Sequence, residues 1–434
     1  MFYICKEMKR AIFNPEHDMC LADGSGSFIP PAAIVEFARK CRWIARFMGD
    51  GQVQDGAVQE GVYLTGGKLA SEEGGMPVEE SNGKITAVVP WGWNRCLRER
   101  LLKEGVPADL LPDNAQLDFI RESSRRELAL ELLEFLHNEN GCSGGECSRG
   151  GEYTAGGDCP AVLDMSVDVD CAGASGGSFA GKGIQMIPAG YRIAARSMEE
   201  IEAFLQEKGR VVLKAPLSGS GKGVRFVTGE LMETDRGWCR RTLQRQGAVI
   251  VEQRMNIIKE FAMLFEVTGG VQERTQEEMP QVREGVGVSE AVDVPQVLFR
   301  GYSLFYANNG AYKGNLLASN EYIEHQLAVY VPLVQLEKVR KGVERFLQEK
   351  LLGKYVGFVG VDQFVAESNG RQELSGRRYL WNPAMELNLR MTMGLVARNI
   401  YDFHKEEFRL GEGTHCFEPE RGVFPVEGSL PCVE

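Results

Sequence analysis

Hydrophobic positions along this chain recur with two periods, and the switches between them mark out its elements. Short runs rich in β-branched and aliphatic residues predict strands at Ala11–Phe13, Lys84–Val89, Val211–Lys214, Val224–Val227, Ala248–Glu252, Glu260–Phe265, Val297–Phe305 and Tyr355–Ala366. In Tyr379–Arg390 the alternation is clean: Leu387 and Leu389 face one way, Glu386, Asn388 and Arg390 the other. Helical spacing predicts Arg95–Lys103 and Arg125–His137, and a helix opened at Ser197 by the capping-box sequence Ser-Met-Glu-Glu. It also predicts Pro332–Leu352, where Leu336, Val339, Val343, Phe346, Leu347 and Leu351 share one face.

Two stretches show neither period. Residues 139–183 are dense in Gly, Ser and Cys and read as a flexible insertion; residues 268–295 are polar and aperiodic. They divide the chain into an N-terminal α/β unit (1–138), the first insertion (139–183), a unit at 184–267, the second insertion (268–295) and a C-terminal unit (296–434). At 434 residues, 43% hydrophobic and 25% charged, the chain is long enough for a large core and about three domain-sized units.

Charge and cysteine content narrow the function classes. A net charge of −12 argues against a broad nucleic-acid-binding surface. No apolar run approaches the ~18 residues of a membrane span. Lys6, Glu7, Lys9 and Arg10 stand where a signal peptide needs its apolar stretch, so a cytoplasmic location is expected. The eleven cysteines are expected to be free thiols; Cys142, Cys147, Cys159 and Cys171 cluster without paired zinc-site spacing.

The chemistry concentrates in two places. Residues 211–227 read as a hairpin whose turn carries alternate glycines, Gly219, Gly221 and Gly223, between Lys214 and Lys222. Such a backbone can aim N–H groups at an anion, and the simplest guest is a polyphosphate. The turn is not the P-loop of nucleotide-binding proteins, since Gly223 stands at the Ser/Thr position and a strand follows. A second near match, Gly176–Gly183, has no strand before it and is set aside. The other place is Asp362 with Glu386 and Asn388. A carboxylate inside a strand needs a partner or a cation, and oxygen side chains on adjacent strands suit Mg²⁺. Arg390 on the same face can hold a phosphate or carboxylate by its fork. Asn14-Pro15-Glu16-His17-Asp18 reads as an ordinary turn, and Trp91-Gly92-Trp93 as packing.

This order of parts (lysine strand, glycine-rich hairpin, apolar strand ending in Glu, then Asp and E-x-N-x-R) resembles the ATP-grasp superfamily over residues 184–400. The resemblance implies an α/β (α+β) fold with a pre-ATP-grasp-like N-terminal domain, a lid subdomain at 184–267 and a metal-binding subdomain at 296–434. It assigns Lys214 and Ser218, Gly219, Ser220, Gly221, Lys222 and Gly223 to ATP phosphates. Glu252, Gln253 and Met255 fall at the adenine hinge and Glu260 near the ribose. Asp362, Glu386 and Asn388 become Mg²⁺ ligands, with Mn²⁺ as a substitute, and Arg390 contacts the transferred phosphoryl group. Arg300, Tyr312, Lys313 and Asn315 are weaker candidates for substrate contacts.

The activity so implied is an ATP-dependent ligase joining a small carboxylic acid or amino acid to an amine or thiol through an acyl phosphate. The alternatives are an ATP-grasp kinase or carboxylase, or a nucleotide-binding regulatory protein without turnover. Small-molecule substrates are the expected partners, with no nucleic acid or membrane and with a homodimer left open.

Overall fold

Parallel strands β1 (Met8–Ile12) and β2 (Ile85–Pro90) open the chain. The computed structural model describes residues 8–49, 85–141, 184–218, 223–269, 295–308, 311–367 and 379–426. The same segment carries α1 (His17–Asp23), α2 (Ala32–Lys40), α3 (Arg95–Lys103), α4 (Asn114–Ser123) and α5 (Glu127–Gly141). Asn94 caps α3 by accepting from the Leu97 amide (2.9 Å), and Asp113 and Gln116 form a complete capping box on α4.

The next segment contributes β3 (Ile184–Met186), β4 (Arg192–Ala195), α6 (Met198–Lys208), β5 (Arg210–Lys214), β6 (Val224–Thr228), α7 (Glu233–Gln246), β7 (Val249–Gln253) and β8 (Asn256–Val267). Strands β4, β7, β5 and β6 form a four-stranded antiparallel sheet in the order β4-β7-β5-β6. Its inward residues Val211, Leu213, Val227, Val249 and Val251 bury against Ile201, Phe204 and Leu205 of α6 and Cys239 of α7. At α6, Ser197 accepts from the Glu200 amide (3.2 Å), while Glu200 reaches back to the Arg196 amide (2.7 Å), one residue earlier than a capping box predicts.

The rest of the chain adds β9 (Val297–Asn308), β10 (Ala311–Leu317), α8 (Asn320–Ala328), α9 (Leu333–Leu351), β11 (Gly357–Glu367), β12 (Tyr379–Asn388), α10 (Met393–His404), β13 (His415–Glu418) and β14 (Gly422–Pro425). An eight-stranded sheet runs β14-β13-β10-β9-β8-β11-β12-β3, antiparallel except where β3 meets β12. Strands β3 and β8, which the sequence reading groups with residues 184–267, thus belong to this larger sheet; the smaller sheet takes only residues 192–253. The reason is local: after Gln253 the chain turns from one sheet into the other, and the strand pattern continues through the change.

One face of the large sheet packs Phe261, Met263, Phe265, Val359 and Val361 against α5 and the predicted stripe of α9, where all six residues are buried. The other face meets α10 and the N-terminal unit through Ala262, Leu264, Leu317, Leu395, Val396 and Phe13. Helix α10 is buried without a break from Gly394 to Tyr401, polar Arg398 and Asn399 included.

Candidate active site

The two sheets and the N-terminal unit enclose a cleft of about 1150 Å³. Its wall includes Lys214, Ser218, Glu252, Gln253, Met255, Glu260, Tyr312, Lys313, Asn315, Asp362, Glu386, Asn388 and Arg390. Gly219, Ser220, Gly221 and Lys222 lie outside the described residues, as do the four clustered cysteines and most of both insertions.

On the lid side, β5 pairs with β6 so that Lys214 faces Val224 across the hairpin, as the strand pattern predicts. Gly223 has φ of +79°, and a Cβ there would come within 2.9 Å of the Ser218 Cβ, so the turn needs glycine at that position. Lys214 Nζ stands 2.6 Å from Glu252 Oε2, Tyr191 donates to the same oxygen (3.0 Å), and Arg192 lies 3.6 Å from Oε1. Burial works against the Glu252 carboxylate, but Lys214 and then Arg192 hold it below the usual range. Its oxygens therefore face cations, while Gln253 to Met255, the next residues in the chain, also line the cleft. Arg192 also donates to the carbonyls of Met385 (3.0 Å) and Ala384 (2.6 Å), which ties the small sheet to the large one. Burial raises the Glu260 carboxyl, with Lys214 opposing.

On the opposite wall, β11 and β12 bring Asp362 directly across from Glu386, and Gly360 across from Asn388. Two carboxylates on neighbouring strands repel each other. Burial, and then Glu386, push the Asp362 carboxyl up to about 7. Asn388 Nδ2 donates to Asp362 Oδ2 (3.0 Å), so the amide turns its N–H toward the carboxylate while its oxygen accepts from Arg390 Nη2 (2.8 Å). Among the described residues no group of three or more His, Cys, Asp or Glu side chains forms a metal cluster. The facing carboxylates Asp362 and Glu386 are the oxygen ligands that could hold a hard divalent cation such as Mg²⁺, which needs only one or two carboxylates from a protein.

Three placements differ from the sequence expectation. Arg300 lies off the cleft wall: its strand bulges at Gly301, and its Nε lies 3.6 Å from Glu266 Oε2. The Arg390 fork is not open to a ligand, because Nε and Nη2 donate to the two oxygens of Asp18 (2.9 and 3.0 Å). The loop at residues 14–18, read as an ordinary turn, thereby contributes Asp18 to the site. Asn315 lines the cleft fully buried, with Nδ2 donating to Ser303 Oγ (2.6 Å) and Oδ1 accepting from the Tyr312 hydroxyl. Lys313 is exposed at the rim.

Sequence reasoning also missed Arg126, at the start of α5. Its Nη1 donates to Ala215 O (2.5 Å) and Ser218 Oγ (2.8 Å), and its Nη2 lies 3.0 Å from Glu386 Oε1. Its Nε is buried without a partner. One guanidinium thus joins the lid turn to the carboxylate pair across the cleft. The only signal was an arginine at a helix start, where a cation is unfavourable against the helix dipole.

No family model matches the sequence, and no curated protein matches it. Among solved structures, N5-carboxyaminoimidazole synthetase from Staphylococcus aureus is 11% identical with a TM-score of 0.37, over 91% of this chain and 74% of that one. Its ADP complex matches at a TM-score of 0.28 and 14% identity, over 48% of this chain and only 40% of that one. Biotin carboxylase from Campylobacter jejuni is 11% identical with a TM-score of 0.39, over 76% of this chain and 55% of that one. Mixed helix and sheet is the class of its fold. At such scores the likeness carries no argument, and the roles proposed for individual side chains rest on the geometry of the cleft.

Proposed function

We propose that this chain is a Mg²⁺- and ATP-dependent ligase that activates a small carboxylate by phosphoryl transfer and joins it to an amine or thiol. The observation that carries the reading is the convergence on one cleft of Lys214 and Arg126 with the facing carboxylates Asp362 and Glu386. Cations on one wall suit a polyphosphate, and an underneutralised acid pair on the other suits the divalent ion that travels with it.

Lys214 and Arg126 would bind the phosphates, each giving up part of its bond to Glu252 or Glu386. Asp362 and Glu386, with Asn388 after its amide turns, would hold Mg²⁺, which offsets phosphate charge. Gln253 to Met255 and the apolar wall at Val212, Met385 and Phe364 offer a slot for the base. The protein's contribution to phosphoryl transfer is position and electrostatic stabilisation.

The test is MgATP-dependent phosphate release against pools of amino acids, small carboxylic acids and amines. Release that needs a carboxylate and an amine together supports the ligase. Release with bicarbonate, or with an alcohol, reassigns the chain to carboxylase or kinase. Binding of MgADP with no release under any pool favours a regulatory protein.

A further inference from the structure

Arg390 spends four of its five N–H donors inside the protein. Nε and Nη2 go to Asp18, Nη2 also reaches Asn388 Oδ1, and Nη1 donates to Met391 O (3.2 Å). Asn388 passes the chain on to Asp362. A continuous relay therefore runs Asp18, Arg390, Asn388, Asp362, from the N-terminal unit to the proposed cation site.

The Asp18 end of this relay is built to stay put. Asn14 and Gly92 hold each other, Nδ2 to the Gly92 carbonyl (2.9 Å) and the Gly92 amide to Oδ1 (3.3 Å). The His17 ring lies against Gly92 so closely that a Cβ there would sit 2.6 Å away, and Asn94 Nδ2 is 3.2 Å from His17 Nδ1. The Trp91 amide donates to Ile12 O (2.7 Å), and the Trp91 carbonyl accepts from the Met391 amide (2.7 Å), next to Arg390. The loop at 14–18, the turn at 91–94 and the end of β12 are thus locked in one arrangement.

We infer that Asp18 is a positioning residue: it neutralises and fixes Arg390 so that this guanidinium does not join Arg126 on the Asp362–Glu386 pair, and Asp362 stays available to a divalent cation. This rests on the nucleotide reading proposed above. Arg126 already contacts Glu386 directly, and the Arg390 guanidinium, one amide away from Asp362, is the second cation able to compete there; Coulombic attraction at such separations changes cation affinity by about tenfold even with partial screening. Two-point contact with a carboxylate is the geometry that removes an arginine from such competition.

The experiment uses the full chain and thermal-shift titration of MgCl₂ at fixed ADP, reading the Mg²⁺ concentration at half-maximal stabilisation. Asp18→Asn is expected to raise it about tenfold. Arg390→Met is expected to lower it, and the double variant to return it close to the parent value. A merely structural pair moves the melting temperature in the variants without moving the Mg²⁺ midpoint. If Asp18→Asn does not fold, the comparison of Arg390→Met with the double variant decides, since the double replacement removes both charges together and leaves no unpaired ion. Parent-like midpoints in the folded single variants overturn the inference and leave the nucleotide reading standing. Absence of any Mg²⁺-dependent ADP stabilisation in the parent overturns both.

Discussion

Asp362→Asn has opposite consequences for the free protein and for the ligand-bound one. In the free protein, burial and Glu386 raise the Asp362 carboxyl from 3.8 to about 7. The sign follows from proton counting. Below pH 4 the group is protonated in both folded and unfolded chains and contributes nothing. As pH climbs from about 4 to 7, the unfolded chain releases the proton first, and stability falls. Above 7 the full cost remains, about 4 kcal/mol for a shift near three units, and about 2 kcal/mol once residual solvent contact is allowed for. Asp362→Asn removes that cost at pH 8. With an unfolding entropy of roughly 2 cal/mol/K per residue over 434 residues, the melting temperature of the nucleotide-free protein should rise by about 2–4 °C. The same variant should lose most of the stabilisation by Mg²⁺ and ADP. The assay is a melt series from pH 4.5 to 8.5, with and without MgADP. In the parent, MgADP stabilisation should weaken as pH falls below 7, because protons and metal compete for Asp362. A nucleotide-free variant that melts lower than the parent at pH 8, or a parent curve flat between pH 4.5 and 7.5, would refute the like-charge account of this pair.

Other predictions follow from single contacts. Lys214→Met should weaken MgADP binding at least about tenfold by calorimetry, since one phosphate-facing charge is lost, whereas Arg300→Ala, off the cleft wall, should leave binding unchanged. Arg126→Ala frees Ala215 O, Ser218 Oγ and Glu386 together, so amide exchange in the lid turn should speed by about an order of magnitude. Gly92→Ala drives a methyl into the His17 ring 2.6 Å away and should cost about 1–3 kcal/mol by denaturant unfolding.

Much of the site was legible because its parts announce themselves locally. Lys214 sits in a β-rich run before a glycine turn, and Glu386 and Asn388 alternate with buried leucines, so their shared face follows from strand geometry alone. Asp18 and Arg126 gave no such signal. Asp18 follows an Asn-Pro turn signal, and Arg126 looks like a solvated helix-start residue, because their partners Arg390 and Glu386 are 372 and 260 positions away. Arg300 failed for a related reason: a bulge at Gly301 changes the register on β9, and a period of two cannot foresee where it resets.

The sequence by itself determined many of the strands and helices, where the lysine hairpin lies, and that Glu386 and Asn388 share a strand face, because these depend on neighbours a few residues apart. Only the tertiary structure decided that β3 and β8 join the large sheet, that Asp362 stands opposite Glu386 in register, and that Asp18 fills the fork of Arg390. Those outcomes depend on charge pairing and strand register between segments far apart in the chain, which no local pattern encodes.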